Sequence, residues 1–280
     1  MVIVSWNTRE LLSHCLCSVQ AALTAEPGLS AEVFVVDNAS ADGSAAMVRE
    51  SFPDICLIES PENVGFARAV NAALRQATGR YWLLLNSDTQ MPPGTMTALC
   101  DVLDSRTDIA VCGPLLRNAD GSPQFSWAHF PGPRSEWTGH LDRSQSPHPL
   151  GNFAHAPERA EMQPFAVDWI GAACFLVRAE SARQVGLLDE GFFFYGEDVD
   201  LCYRLRQQFG NQGGKTLLVP TATITHLGGQ SSCRIATIAR RHLFWSSLRL
   251  YRKLYGISPA ALIAMALATA RYILSPLRRG

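Results

Sequence analysis

Three clusters of polar residues in this chain have the types and spacing to do chemistry. Asn86-Ser87-Asp88 closes the apolar run from Tyr81 to Leu85, and Asp37-Asn38-Ala39-Ser40 closes another from Val33 to Val36. Glu197, Asp198 and Asp200 crowd three acids into four residues, next to the aromatic run Phe192 to Tyr195. A carboxylate at the end of a buried strand can meet a metal or a phosphate, because in an open α/β sheet the loops leaving the carboxyl ends line the ligand crevice. Asp88 is also compatible with shaping the turn into Met91-Pro92-Pro93-Gly94, since Asp is a common turn former. The acids at 197–200 are likewise compatible with capping a helix over 201–209, whose dipole favours negative charge at its start.

The elements that position these clusters follow from pattern. Apolar runs too short for helices and bounded by turn formers read as buried strands at 2–4, 33–36, 55–58, 81–85 and 109–112. Helical spacing fills the gaps: Leu11, Leu12, Cys15, Leu16 and Val19 mark a helix to about residue 23, with Thr8 placed to cap it. Further helices are expected at 41–51, 65–77 and 95–103. Such β-α repetition specifies a parallel, right-handed sheet. Asn118-Ala119-Asp120-Gly121 is a turn signal. From about 130 to 164 the composition shifts to Pro, His, Ser, Gly and Trp, as in a long functional loop. Strands at 167–170, 174–177 and 217–219 and a helix at 179–185 complete this part.

Composition narrows the function. A formal net charge of −1 over 280 residues leaves no basic footprint for nucleic acid. The eight cysteines form neither a paired CxxC set nor a disulfide framework, so reduced, mostly buried thiols are expected in a cytoplasmic setting. The chain opens on an apolar strand without the layout of a signal peptide. The dinucleotide fingerprint and the P-loop are both missing.

Laid out in order, the segments VIVSWN (2–7), VVDNASADGS (35–44), ENVGFARAVN (62–71), LLLNSD (83–88), WIGAACFLVR (169–178), GLLDEGFFFYGEDVDLCYR (186–204) and HLGGQS (226–231) resemble the family 2 inverting glycosyltransferases. The likeness is to the bacterial rhamnosyltransferase-like and galactofuranosyltransferase-like branch, over roughly residues 2–232. It implies a GT-A fold: a Rossmann-like α/β, mostly parallel sheet flanked by helices. A nucleotide-sugar half would span 1–113 and an acceptor and catalytic half 114–232, followed by a helical tail at 233–280. The implied reaction moves a sugar, rhamnose among the candidates, from a dTDP- or UDP-sugar donor to a glycan or polyprenyl-linked saccharide acceptor in cell-envelope polysaccharide synthesis.

Residue roles carry over motif by motif. Asp37 would accept the N3–H of a uracil or thymine ring, with Ser5, Trp6 and Asn7 beside it. Asn63, Gly65, Phe66 and Asn71 would line the nucleotide-sugar, Gly65 allowing close backbone approach. Asn86, Ser87 and Asp88 match the motif that holds a divalent cation, Mn²⁺ or Mg²⁺, on the diphosphate. Asn86 departs from it, standing where relatives carry an acid. His226 matches a second metal ligand, and imidazole favours Mn²⁺. Asp198 matches the general base, with Glu197 beside it. Trp169, Gly171, Ala172 and Tyr195 fall on the acceptor side. Two other readings stand beside this one: a catalytically silent sugar-binding scaffold on the same fold, and a sugar-1-phosphate nucleotidyltransferase, whose Gly-rich loop residues 4–9 do not supply.

The tail divides into a basic amphipathic helix at 238–255 and an apolar segment at 259–277. Arg240, Arg241, Arg249, Arg252 and Lys253 among Leu243, Phe244, Trp245, Leu248, Leu250, Leu254 and Tyr255 suit an anionic membrane surface. A helix lying in the interface at the inner face of the cytoplasmic membrane is expected rather than a span, with packing on the catalytic domain as the alternative. Nothing in the sequence specifies an oligomeric state.

Overall fold

A computed structural model of the chain describes residues 1–133, 163–227 and 236–274. The expected long loop lies almost wholly outside the described residues, as do residues 228–231 of the last motif and the end of the apolar segment. The first four strands, β1 (Val2–Ser5), β2 (Phe34–Asp37), β3 (Cys56–Glu59) and β4 (Tyr81–Asn86), pair in parallel in the order β3-β2-β1-β4. Helices α1 (Arg9–Ala25), α2 (Ser44–Ser51) and α3 (Phe66–Leu74) make the crossovers. After the short β5 (Thr89–Gln90), α4 (Thr95–Ser105) leads into β6 (Ile109–Arg117). The sheet continues β4-β11-β6-β12-β5, through β11 (Cys174–Arg178) and β12 (Lys215–His226). β7 (Pro123–Gln124) pairs with β6, β9 (Phe165–Val167) pairs with β12, and β8 (Trp127–Ala128) forms a separate ribbon with β10 (Trp169–Ile170).

Strand periodicity accounts for the two-sided core. Ile3, Val35, Leu83 and Leu85 point to one face, under Leu12 and Leu16 of α1, Met47 of α2 and Leu99 and Leu103 of α4. Their neighbours Val2, Val36, Trp82 and Leu84 point to the other, under Val70 of α3, Ala182 of α5 (Ala179–Gln184) and Leu201 and Leu205 of α6 (Glu197–Phe209). Strands covered on both faces are expected to be continuously apolar, as these are.

Four strands of this sheet depart from the parallel expectation: the short β5, β7 and β9 pair antiparallel at the margin of the sheet, and β11, in its middle, runs antiparallel to both β4 and β6. This matters for the site. The N-terminal end of β11, preceded by Gly171-Ala172-Ala173, therefore reaches the same edge as the carboxyl ends of β1, β2 and β4. Since β12 is parallel to β6, His226 arrives there too. Strands β6 and β12 both outrun their expected lengths, because prolines that read as breakers are accommodated. Pro114 lies beyond the end of the β11 ladder at Cys112, and Pro220 sits in the irregularity between Val219 and Thr223.

The described cysteines are all free, with Cys15, Cys112, Cys174 and Cys202 buried. The tail forms α7 (Ala236–Tyr255) and α8 (Pro259–Leu274). Among the described residues no helix is long and apolar enough to cross a membrane.

Candidate active site

The loops at this edge are bonded to one another. Ser5 at the end of β1 shares a hydrogen bond of 2.9 Å with Thr8, whose hydroxyl lies 3.0 Å from that of Ser87 after β4. Thr8 is thus not a side-chain cap of α1; its hydroxyl ties two strand ends together. Asn7, with a left-handed φ of 54°, accepts from the Ala41 N–H at 2.7 Å, while its own N–H donates to Ser40 Oγ at 2.9 Å. Trp6, between them, is half-buried.

Asp37 is 4% exposed. Its Oδ2 accepts from the Ser40 N–H at 3.0 Å, and its Oδ1 has no partner among the described residues. A buried carboxylate oxygen without a donor is costly unless a ligand supplies one. Asn63 Oδ1 accepts from Gly65 N at 3.0 Å and from Asn38 Nδ2 at 2.9 Å, and Asn38 Oδ1 accepts from Val64 N at 3.0 Å. Asn38 is the organiser of this loop, a role its place inside a quoted motif did not reveal.

At two of the expected nucleotide-side residues the described contacts are made within the protein. The space left by Gly65 is filled by Phe193: a Cβ there would come within 2.6 Å of the Phe193 carbonyl, which accepts from the Phe66 N–H at 2.8 Å. At Asn71 the amide is bonded within the protein on both sides. The residue is 2% exposed, donates to Leu188 O at 2.9 Å and Glu190 Oε1 at 3.0 Å, and accepts from Leu188 N at 3.2 Å. Its amide is consumed in latching the 188–190 loop to α3.

Asp88 is buried after β4, and its Oδ1 lies 3.2 Å from His226 Nε2. The other ring nitrogen, Nδ1, lies 2.5 Å from Gln124 Oε1. A carboxylate oxygen and an imidazole nitrogen are thus brought side by side, donor types that divalent cations such as Mn²⁺ accept. Among the described residues no group of three His, Cys, Asp or Glu forms a cage. The backbone N–H of Asn86 donates to Ala173 O at 3.0 Å, joining the end of β4 to the Gly171-Ala172-Ala173 segment ahead of β11.

Asp198 stands in the first turn of α6, which begins at Glu197, four residues before the expected start, after Gly196 in the left-handed conformation. Asp198 Oδ2 accepts from Ala172 N at 3.0 Å and Oδ1 from Val199 N at 2.8 Å. A Cβ on Gly171 would sit 3.9 Å from that Oδ2. Burial raises the Asp198 carboxyl above the ordinary aspartate range, opposed by the two N–H donors. Glu197, 4% exposed and with Oε2 unpartnered among the described residues, is pushed up to about 8, first by burial and then by Asp198 and Asp200. Asp200 leaves the candidate set: it pairs with Arg204 at 2.7 Å and with Lys253.

Trp169 donates from its indole to His129 O at 3.0 Å, and Gly171 N donates to Ser126 O at 2.7 Å, so both are anchored beside Asp198. Tyr195, with a φ of 69°, packs its ring 4.1 Å from that of Phe194. Helix α7 closes over this aromatic segment. Ser246 donates to Phe194 O at 2.9 Å, His242 stacks on Phe193, and Leu250 packs on Phe192 and Val199. Arg249 and Lys253 pair with Asp189 at 2.9 and 2.6 Å. These two cations, grouped by sequence with a membrane-facing set, therefore face the loop before α6, and Lys253 also reaches α6 itself.

Residues 1–160 match the model of glycosyl transferase family 2. The N-acetylglucosaminyl-diphospho-decaprenol L-rhamnosyltransferase of Mycobacterium tuberculosis is 30% identical over 84% of this chain and 77% of its own length. A low-salt glycan biosynthesis hexosyltransferase of Haloferax volcanii is 28% identical over 76% of this chain and 63% of its own. Among solved structures, a mannosyltransferase from Pyrobaculum calidifontis in complex with GDP-Man and Mn²⁺ superposes with a TM-score of 0.59 at 17% identity, covering 98% of this chain and 69% of that one.

Proposed function

Because the chain belongs to glycosyl transferase family 2 and is a glycosyltransferase, we propose that it moves a sugar with inversion, from a dTDP- or UDP-sugar to a glycan or polyprenyl-linked saccharide, with rhamnose the favoured sugar. The observation that carries this reading is Asp198, a partly covered carboxylate of raised basicity, hydrogen-bonded to Ala172 at the sheet edge that also holds the Asp88–His226 pair. Asp198 takes the proton of an acceptor hydroxyl as that oxygen bonds to the anomeric carbon. The carbon–oxygen bond to the donor diphosphate breaks on the opposite face, its electron pair leaving with the diphosphate. One displacement inverts the centre. Asp88 and His226 would hold a divalent cation, whose charge would offset that of the departing diphosphate. Asp37 Oδ1 accepts from the N3–H of the base, which is the donor that buried oxygen lacks within the described protein. Burial raises the Glu197 carboxyl beside Asp198, which favours its neutral form and limits the negative charge gathered at this pair.

The choice of rhamnose and of a lipid-linked acceptor is supported by the mycobacterial relative, whose name states both. Peripheral attachment to the inner face of the cytoplasmic membrane belongs to the same proposal. It is supported by Trp245, Leu262, Ile263 and Ile273, large apolar side chains exposed on α7 and α8, and by the exposed Arg241 and Arg252. A panel of nucleotide sugars offered with a lipid-linked saccharide, with and without Mn²⁺, tests the reading. Asp198→Asn should lower turnover by about 10²–10⁴-fold with donor affinity unchanged. Near-normal turnover in that variant, alongside loss in Glu197→Gln, would give the base role to the other acid.

A further inference from the structure

The turn at 118–122, which the sequence presents as punctuation, is hydrogen-bonded through Gln124 to His226. Asp120 Oδ1 accepts from Ser122 N at 2.9 Å and from Ser122 Oγ at 2.6 Å. With its proton committed to Asp120, Ser122 Oγ accepts from Asn118 Nδ2 at 2.9 Å. That fixes which way the Asn118 amide faces, so Asn118 Oδ1 accepts from Gln124 Nε2 at 2.9 Å. The same Gln124 nitrogen also donates to His226 O, at 3.4 Å. Gln124 Oε1 is left as a pure acceptor 2.5 Å from His226 Nδ1. An ionised carboxylate only accepts, and each link passes that polarity to the next.

We propose that Gln124 is the positioning residue of His226: its Oε1 accepts from Nδ1–H and holds the ring so that Nε2 is the nitrogen turned towards Asp88, available to a cation placed there. The histidine cannot set this by itself, since either nitrogen of a neutral ring can carry the proton. A metal-ligating histidine whose other nitrogen donates to a fixed acceptor is held in one tautomer and one orientation. Here that acceptor comes from β7, a two-residue strand beside β6, and is itself aligned by the 118–122 turn. The inference rests on the proposed role of His226 as a cation ligand, and it accounts for why a glutamine distant in sequence lies against that ring.

The test uses the full chain and two readouts. Nitrogen-15 spectra of the metal-free protein, at a pH where an ordinary imidazole is neutral, report the His226 tautomer, assigned by comparison with His226→Ala. The Nδ1–H form is expected in the unmodified protein and should be lost in Gln124→Leu. Mn²⁺ titrated in the presence of UDP should bind about 10–100-fold more weakly to Gln124→Leu. An Nε2–H tautomer in the unmodified protein overturns the proposal, as does a Gln124→Leu variant that keeps both the Nδ1–H form and full Mn²⁺ affinity. If the unmodified protein takes no Mn²⁺, the cation reading of Asp88 and His226 fails, and the spectra alone decide the role of Gln124.

Discussion

Two carboxylates adjacent in sequence are given different work by what surrounds them. Asp198 receives two backbone N–H groups and is half-buried, while Glu197 is buried and receives no N–H from another described residue. The Glu197 carboxyl rises from 4.5 to about 8, chiefly through burial, so the folded state holds a proton that the unfolded chain releases. Its contribution to stability is then fully present below about 4.5 and is lost as pH rises through about 8. Thermal midpoints measured from about pH 5 to about pH 9 should fall for the unmodified protein and stay flatter for Glu197→Gln; parallel curves would mean that Glu197 titrates normally. Asp37 makes a second residue-scale prediction. Asp37→Ala should weaken competition by UDP and dTDP by about 10-fold, the worth of one charged hydrogen bond of roughly 1.5 kcal/mol. Unchanged competition would place the base elsewhere.

At the scale of elements, the parallel half of the sheet was legible because buried strands announce themselves as short apolar runs with polar ends. Parallel strands deliver their carboxyl ends to one edge, so the polar ends at Ser5, Asp37 and Asp88 come together there. What was illegible depends on partners far away in sequence. Asn71 looks like any helix polar residue until the 188–190 loop is laid on it, 117 residues later. Gln124 meets His226 across 102 residues. The lengths of β6 and β12 were hidden by prolines that local rules read as stops. Asn71→Ala should cost about 1–3 kcal/mol of stability, because it leaves the buried N–H and C=O of Leu188 without partners. Urea unfolding measures that loss, and UDP affinity at low temperature should be unaltered. A fall in affinity without a fall in stability would return Asn71 to the nucleotide pocket.

For the whole molecule, the tail illustrates why amphipathic composition does not identify the surface a helix meets. Sequence shows that α7 has a basic face, but the charge it answers on Asp189 and Asp200 comes from the loop before α6 and from α6 itself. Asp200 is fully buried, so removing Lys253 leaves it with Arg204 as its remaining ion pair. Loss of one partner from a buried pair costs roughly 3–5 kcal/mol, and with Arg204 in place Lys253→Ala should fall at the lower end. A chain ending at Ser232 also uncovers Phe192 and Val199, on which Leu250 packs. It should therefore lose stability and turnover together, and its failure to pellet with membranes would say little about attachment. The informative variant replaces Leu262, Ile263 and Ile273 by Gln, since these side chains are 60%, 52% and 71% exposed. It should keep its thermal midpoint and its turnover on a water-soluble acceptor, while sedimenting less with anionic phospholipid vesicles than the unmodified protein. Equal sedimentation of the two would remove α8 from the membrane contact and leave the tail with the single task of holding α6 and the aromatic loop in place.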